Sequence, residues 1–445
     1  MAIAAARFGF GPGPQDNLGG DARGWLKAQS QGPDPGLASG AFAGLPTGQQ
    51  AVDTLKADAK ARKQFLAQNP DAKGQFKGQT QQNYHADVLA QLAFAAITPA
   101  SFRERLVWFW ANHFSINAAQ NQAGAFVGPM LREAIRPHVN GNFTDMVLAV
   151  ERHPAMLRYL NNDVSFGPDS PLGQRRNIGL NENLGRECME LHTVGLAAGY
   201  TQADVTAMAT ILTGWSMATS IEGSDSTGFR YRPMGHEPGP QTVMGRTFDG
   251  GEQAGIDALT FLSTYPTAYD RVATQMVTHF VADTPSQSAV DSIAQVLKDT
   301  QGDLAAASAA LVDLPEAWEP GQKFKTPFEY VLSTLRALPP PPDQPAPDPA
   351  GILAGLGQPM FGAPLPNGWS DQASAWTGSD EVMARIDWAF GYAGRFTDSG
   401  MAPLPVAQAA LGPLLRPQTA GAIASAGSPR EALTLFLTSP EFQRR

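Results

Sequence analysis

Cysteine is almost missing from this sequence: Cys188 stands alone among 445 residues. A single thiol excludes an internal disulfide and any cysteine-rich metal site. Charge is sparse as well, at 16% of residues against roughly a quarter in ordinary globular chains. Disorder driven by excess charge is therefore excluded. There is no basic run, and a net charge of −9 speaks against nucleic acid as a partner, since affinity for a phosphate backbone comes from clustered Lys and Arg. No stretch reaches the roughly twenty apolar residues needed to span a bilayer. The opening MAIAAARFGFGPGPQD lacks the apolar stretch of a signal peptide. These absences predict no transmembrane segment and a cytoplasmic protein by default, or a periplasmic or exported one if a leader has been removed. Familiar reaction signatures are missing too: no HExxH, P-loop, GxSxG, dinucleotide glycine fingerprint or EF-hand loop occurs.

Glycine and proline, in contrast, are plentiful, at 45 and 36 residues, which predicts long ordered loops between helices. Helix-start grammar recurs. TPASFRERLVWFW places Thr98 as an N-cap before Pro99, TQADVTAMATILTGW sets Thr201 three residues before Asp204, and TPFEYVLSTLRAL repeats the pattern with Thr326 and Glu329. Strand signals are confined to GFRYRP and QTVMGRTFDG, which read as one hairpin. The expected fold is mainly α: one large multi-helix body with long Gly/Pro-rich loops and at most one small β-hairpin. LPPPPDQPAPDPAG at 338–351 must be extended, because its prolines lack the donors a helix needs. It divides a main body (1–337, with a central motif at 181–216) from a C-terminal helical segment (352–445) packed on that body. The aromatic-rich LGQPMFGAPLPNGWSDQASAW beyond it reads as a strap across the surface.

The densest polar cluster is NENLGRECMELHTVG, residues 181–195. At 100° per residue, Glu182, Asn183, Arg186, Glu187, Glu190 and Thr193 share one arc, while Leu184, Gly185, Cys188, Met189, Leu191 and His192 share the other. Read plainly, this is an amphipathic helix with a Glu182–Arg186–Glu190 ion-pair ladder and a core histidine at His192. Read chemically, Glu187 and Glu190 project side by side, so mutual repulsion raises one pKa and lets a proton donor coexist with an acceptor. Arg186 would then orient the ionised partner or a substrate. In RERLVWFWANHFSIN, Arg105 and Asn112 fall within about 20° on an otherwise apolar helix, with His113 one step round, so this seam faces a polar partner or a site. His236 sits in the loop GHEPGPQTVMG, where packing does not explain it. His279, within an apolar helix, reads as core, and RHPAMLRYLNND reads as capping and turn chemistry.

Together, FWANHF, NENLGRECMELHTVGLAAGYTQADVTAMATILTGWS, HEPG, KFKTPFEYV and LGQPMFGAPLPNGW resemble the bacterial family known as domain of unknown function 1800, over nearly the whole chain. The resemblance carries over Asn112, His113, Glu182, Asn183, Arg186, Glu187, Glu190, His192, Trp215, His236, Lys323, Lys325, Gln358 and Trp369 as positions of the family pattern. It implies no reaction. It does imply a bacterial protein, often exported, often beside a sulfatase-like family, domain of unknown function 1501. The chain departs from the pattern at Ala111 and Glu237, where histidine and aspartate are usual, and STYPTAYDR lacks a common histidine.

Three functions remain as expectations. In the first, a hydrolase or lyase acts on a carbohydrate-containing polymer, with Glu187 or Glu190 as acid or base, His236 or His113 as the complementary proton carrier and Arg186 orienting. Glu182, Asn183, Asn112, Trp215 and Trp369 would bind substrate, the tryptophans stacking on sugar faces along with Trp376. In the second, a divalent metal is the cofactor, held by His113, Glu187 or Glu190, His192 and His236 as mixed N/O ligands. In the third, a non-catalytic envelope scaffold partners the sulfatase-like neighbour.

Overall fold

The computed structural model describes residues 1–445 except 14, 17, 18, 73 and 322. The chain is 59% helical, and among the described residues the strands form two two-stranded antiparallel ribbons. No helix among the described residues is long and apolar enough to cross a membrane.

Local chemistry sets many of the helix starts. The capping boxes expected from Thr201–Asp204 and Thr326–Glu329 both form, each threonine side chain accepting the N3 amide while the N3 carboxylate takes the cap amide. The third expected start lies elsewhere. Thr98 closes the preceding helix, Gln79–Ile97, and its Oγ1 accepts the Ala100 amide at 3.2 Å. The next helix therefore begins at Ser101 and runs to His113. Its free first-turn amide at Phe102 is capped from a distance, by Gln29 Oε1 at 2.9 Å.

Two ribbons appear where the sequence suggested at most one hairpin. Gln241–Val243 closes directly onto Arg246–Phe248 through Met244 and Gly245, both at positive φ, the backbone that a two-residue turn of matching twist requires. Phe229–Tyr231 is thus left to pair with Trp215–Met217.

Two hydrophobic cores organise the body. The larger runs from Ala4 to Ala317. The smaller joins Phe10, Val88, Leu92 and Ala95 to residues from Phe328 through Phe442, so it takes in the Pro327–Ala337 helix ahead of the Pro-rich segment. That segment is fastened to the smaller core: Tyr392 Oη donates to the Leu338 carbonyl at 2.7 Å and Gln344 Nε2 to the Arg395 carbonyl at 2.8 Å. Trp108, Tyr84 and Phe361 pack against both cores. The seam they mark positions a cavity lined by Trp108 and Phe361.

Candidate functional site

The central segment begins as the Asn183–Glu187 α-helix and continues as a π-helical turn, Cys188–His192. Leu184, Gly185, Cys188, Met189 and His192 of the apolar arc are buried, while Glu182, Arg186, Glu187 and Glu190 are half-buried and Asn183 is exposed; the arcs exchange one residue each, since Thr193 is fully buried and Leu191 only half-buried. Gly185 permits a close crossing: a Cβ there would stand 2.6 Å from the Ala209 nitrogen. Glu182 fastens the segment to the Gln202–Ile211 helix, accepting from Thr206 Oγ1 at 2.6 Å, Gln202 Nε2 at 2.8 Å and Arg186 at 3.1 Å. The hydrogen bonds from Thr206 and Gln202 hold its carboxyl below the usual range. Asn183 contributes its amide to Asn181 Oδ1.

The π turn breaks the ion-pair ladder after one rung. Glu182 and Arg186 pair at 3.1 Å, but the wider turn carries Glu190 away from Arg186. Arg271 supplies the facing positive charge, anchored by its Nε donating to the Leu191 carbonyl at 3.0 Å. Among the described residues Glu187 has neither a hydrogen bond nor an ion pair, and burial pushes its pKa up. The Tyr200 hydroxyl, on the Glu190 side, is buried without a partner.

Behind these groups lies a dry cluster. His192 Nδ1 meets Glu151 Oε1 at 2.6 Å, both side chains essentially fully buried. No N–H or O–H of the described residues reaches the other carboxylate oxygen of Glu151. Donor atoms of Glu151, Cys188 and His192 lie within 4.8 Å of one another. His113 backs the cluster, its Nε2 facing the His192 carbonyl at 3.2 Å and its Nδ1 facing Gln275 at 2.9 Å. Burial, with His192 and Arg271 nearby, pushes His113 down to about 3, so it is neutral. His236 stands apart in its own loop. Its Nδ1 donates to the Thr213 carbonyl at 2.9 Å and its Nε2 accepts the Gly251 amide at 2.8 Å, so both nitrogens are committed to holding backbone. Trp215 is fully buried, edge-on to Phe229, with no face open to a ligand.

A cavity of about 90 Å³, smaller than the open surface grooves elsewhere on the chain, lies at the seam of the two cores. Phe10, Trp108, Phe328, Met360, Phe361 and Trp369 supply apolar wall. Polar wall comes from Arg105, Asn112, Ser115, His279, Glu329 and Asp371, among others. Arg105 and Asn112 thus share the face that their spacing predicts. Asn112 clamps the strap: its Nδ2 donates to the Trp369 carbonyl at 2.9 Å and its Oδ1 accepts the Trp369 amide at 2.7 Å. The clamp requires Gly368, which has φ +78° and would push a Cβ to 2.5 Å from the Asn112 carbonyl. None of Glu182, Asn183, Arg186, Glu187, Glu190, His113, His192, Trp215 or His236 lines this cavity.

Charge around the cavity is paired. Glu329 accepts from Arg105 and from Arg445 Nε at 3.0 Å. Burial alone would raise the Glu329 carboxyl, but the two guanidiniums hold it well below the usual range. Burial brings neighbouring Lys325 down to about 7. His279 Nδ1 meets Asp371 Oδ1 at 2.6 Å, and His279 Nε2 accepts from Arg105 Nε at a long 3.3 Å. That fixes the tautomer, with the proton on Nδ1. Burial, with Arg105 and Arg445, lowers the His279 pKa despite Asp371. The Ser115 hydroxyl has no hydrogen-bond partner among the described residues.

The model of the family described as protein of unknown function (DUF1800) matches residues 3–444. The chain belongs to the DUF1800 family. No curated protein matches it at a significant level, and neither does any solved structure. The pattern residues of DUF1800 in this chain separate into two groups: Asn112, Gln358 and Trp369 line the cavity, whereas Glu187, Glu190, His192 and His113 gather at the π turn. Sequence reasoning read His279 as core, and Asp371, Glu151 and Ser115 carried no periodicity or motif that would single them out.

Proposed function

We propose that this DUF1800 chain is a hydrolase or lyase acting on a carbohydrate-containing polymer by carboxylate–imidazole acid–base chemistry, seated in the cavity between the two cores. The observation that carries this reading is the Asp371–His279 pair at the cavity wall. A carboxylate on Nδ1 leaves Nε2 as the basic nitrogen and stabilises the imidazolium once a proton has moved. His279 Nε2 accepts the proton of an attacking water in hydrolysis, or of a sugar carbon in elimination, in place of the long contact from Arg105. Trp108 and Trp369 offer flat apolar faces to a sugar ring, and the unpartnered Ser115 hydroxyl is a hydrogen-bonding group for it. The small volume suits a ring at a chain end.

Turnover is measured on a panel of polysaccharides and their oligosaccharides, as new reducing ends for hydrolysis or unsaturated product for elimination. H279Q and D371N are expected to lose about 10²-fold or more in kcat with folding retained. Because the base has a lowered pKa, the acid limb of kcat/KM falls below 6.5, the ordinary histidine value. Full activity in both variants, or no product from the unaltered chain across the panel, sinks the reading.

A second seat for the same chemistry is favoured by Glu187, a half-buried carboxylate with no hydrogen bond or ion pair beside Glu190. In that case E187Q and E190Q abolish turnover while H279Q does not. The family resemblance adds a partner, the sulfatase-like protein, to either seat, and co-purification tests it.

A further inference from the structure

We propose that Glu151, Cys188 and His192 form a buried binding site for one divalent transition-metal ion of the zinc class. The site is independent of the cavity chemistry and differs from the ligand set expected from the sequence, since two of its three residues come from outside that set.

The geometry is close to what such an ion needs. Zn²⁺ bonds of about 2.0–2.3 Å place tetrahedral ligand atoms roughly 3–4 Å apart. Here the donor atoms already lie within 4.8 Å of one another, so movements of about an ångström close the site. Two elements deliver them: Glu151 ends the Phe143–Glu151 helix, while Cys188 opens and His192 closes the π turn. A regular α-helix puts positions four apart about 5–6 Å from each other at Cβ, and the wide turn lets both face Glu151. Hydrogen bonds fix the backbone behind the donors, from Thr193 Oγ1 to the Cys188 carbonyl and between His113 Nε2 and the His192 carbonyl.

The second observation is an unanswered polar atom. Glu151 is 0% exposed, yet no N–H or O–H reaches its Oε2, and among the described residues the only donor left to the carboxylate besides His192 is the weak S–H of Cys188. Burying a carboxylate oxygen without a strong donor is costly. With both carboxylate oxygens bound, one thiolate sulfur and one imidazole nitrogen complete four-coordination. A divalent ion with one thiolate and one carboxylate is also electrically neutral, which suits a site whose three residues are at most 1% exposed. Mixed S, N and O donors select zinc or a neighbouring first-row ion over magnesium or calcium.

The test uses the full chain expressed in medium supplemented with Co²⁺ and purified without chelator. Because Cys188 is the sole cysteine, a thiolate-to-Co²⁺ charge-transfer band can arise from no other residue. We expect stoichiometric cobalt, that band in the near ultraviolet, and visible ligand-field bands of tetrahedral intensity. C188S should lose the charge-transfer band, and E151Q should hold ~10-fold less metal or worse. If C188S does not fold, the band on the unaltered chain still decides. Protein without stoichiometric metal, or with cobalt that gives no sulfur band, overturns the proposal, leaving a buried Glu–His pair beside an inert thiol. Neither result depends on turnover, so failure here and failure of the carbohydrate reading are separable.

Discussion

The cavity rim and the central π turn both bury charge, but they satisfy it in opposite ways. At the rim each ion has a partner: Arg105 and Arg445 meet on Glu329, His279 meets Asp371, and Lys323 meets Asp283. At the turn, among the described residues, Glu187 has no hydrogen bond or ion pair, the Tyr200 hydroxyl is buried with no partner, and no N–H or O–H reaches Glu151 Oε2. Paired ions make a stiff frame around space that the protein leaves open, here the cavity. Unpaired polar atoms mark places where something outside the chain completes the set. The first arrangement suits holding a substrate against a fixed base, and the second suits capturing an ion.

The contrast can be broken most sharply at Glu329. E329Q strips the counter-charge from two buried guanidiniums, and removing one partner of a buried pair costs about 3–5 kcal/mol. Urea denaturation should show a loss of this size; a loss under about 1 kcal/mol would mean that the rim ions are solvated and the frame is not stiff.

Lys325 gives the next largest effect, through pH. Its pKa falls from 10.5 to about 7 in the folded chain, so between those values the unfolded chain binds more protons and stability rises with pH. K325M removes this contribution. The difference in unfolding free energy between the unaltered chain and K325M should therefore shift in favour of lysine by a few kcal/mol from pH 7 to pH 10. A flat difference over that window would mean that Lys325 keeps its proton in the folded chain, against the burial that lowers its pKa.

The smallest effect is expected at Glu187. With no partner to lose, E187Q should change stability by no more than ~1 kcal/mol, and the neutral amide removes the burial penalty on a carboxylate. A large destabilisation would reveal an unrecognised structural partner and erase the difference between the two regions.

Much of the frame is legible because it is local. The capping boxes at Thr201 and Thr326 need only residues three apart, and the apolar arc of the central segment follows from helical periodicity. The seam of Arg105 and Asn112 follows from the same repeat, and both residues line the cavity. The start at Thr98 was misplaced because the amide of Phe102 is capped by Gln29, 73 residues away in sequence, which no local pattern encodes. The ion-pair ladder was cut to one rung because a π turn is a tertiary adjustment, one residue wider than the helical repeat used to read it.

The sequence by itself determined a mainly α chain and most of the helix faces to be buried, since both follow from backbone donors, caps and a 3.6-residue period; the Pro-rich segment expected to be extended over 338–351 instead turns at 342–344 and enters a helix at Pro349. Only the tertiary structure decided which polar groups meet. His279 finds Asp371 at a separation of 92 residues and His192 finds Glu151 at 41, because the chain's helices are packed by apolar surface, and apolar packing carries no sequence record of the polar atoms it brings into contact.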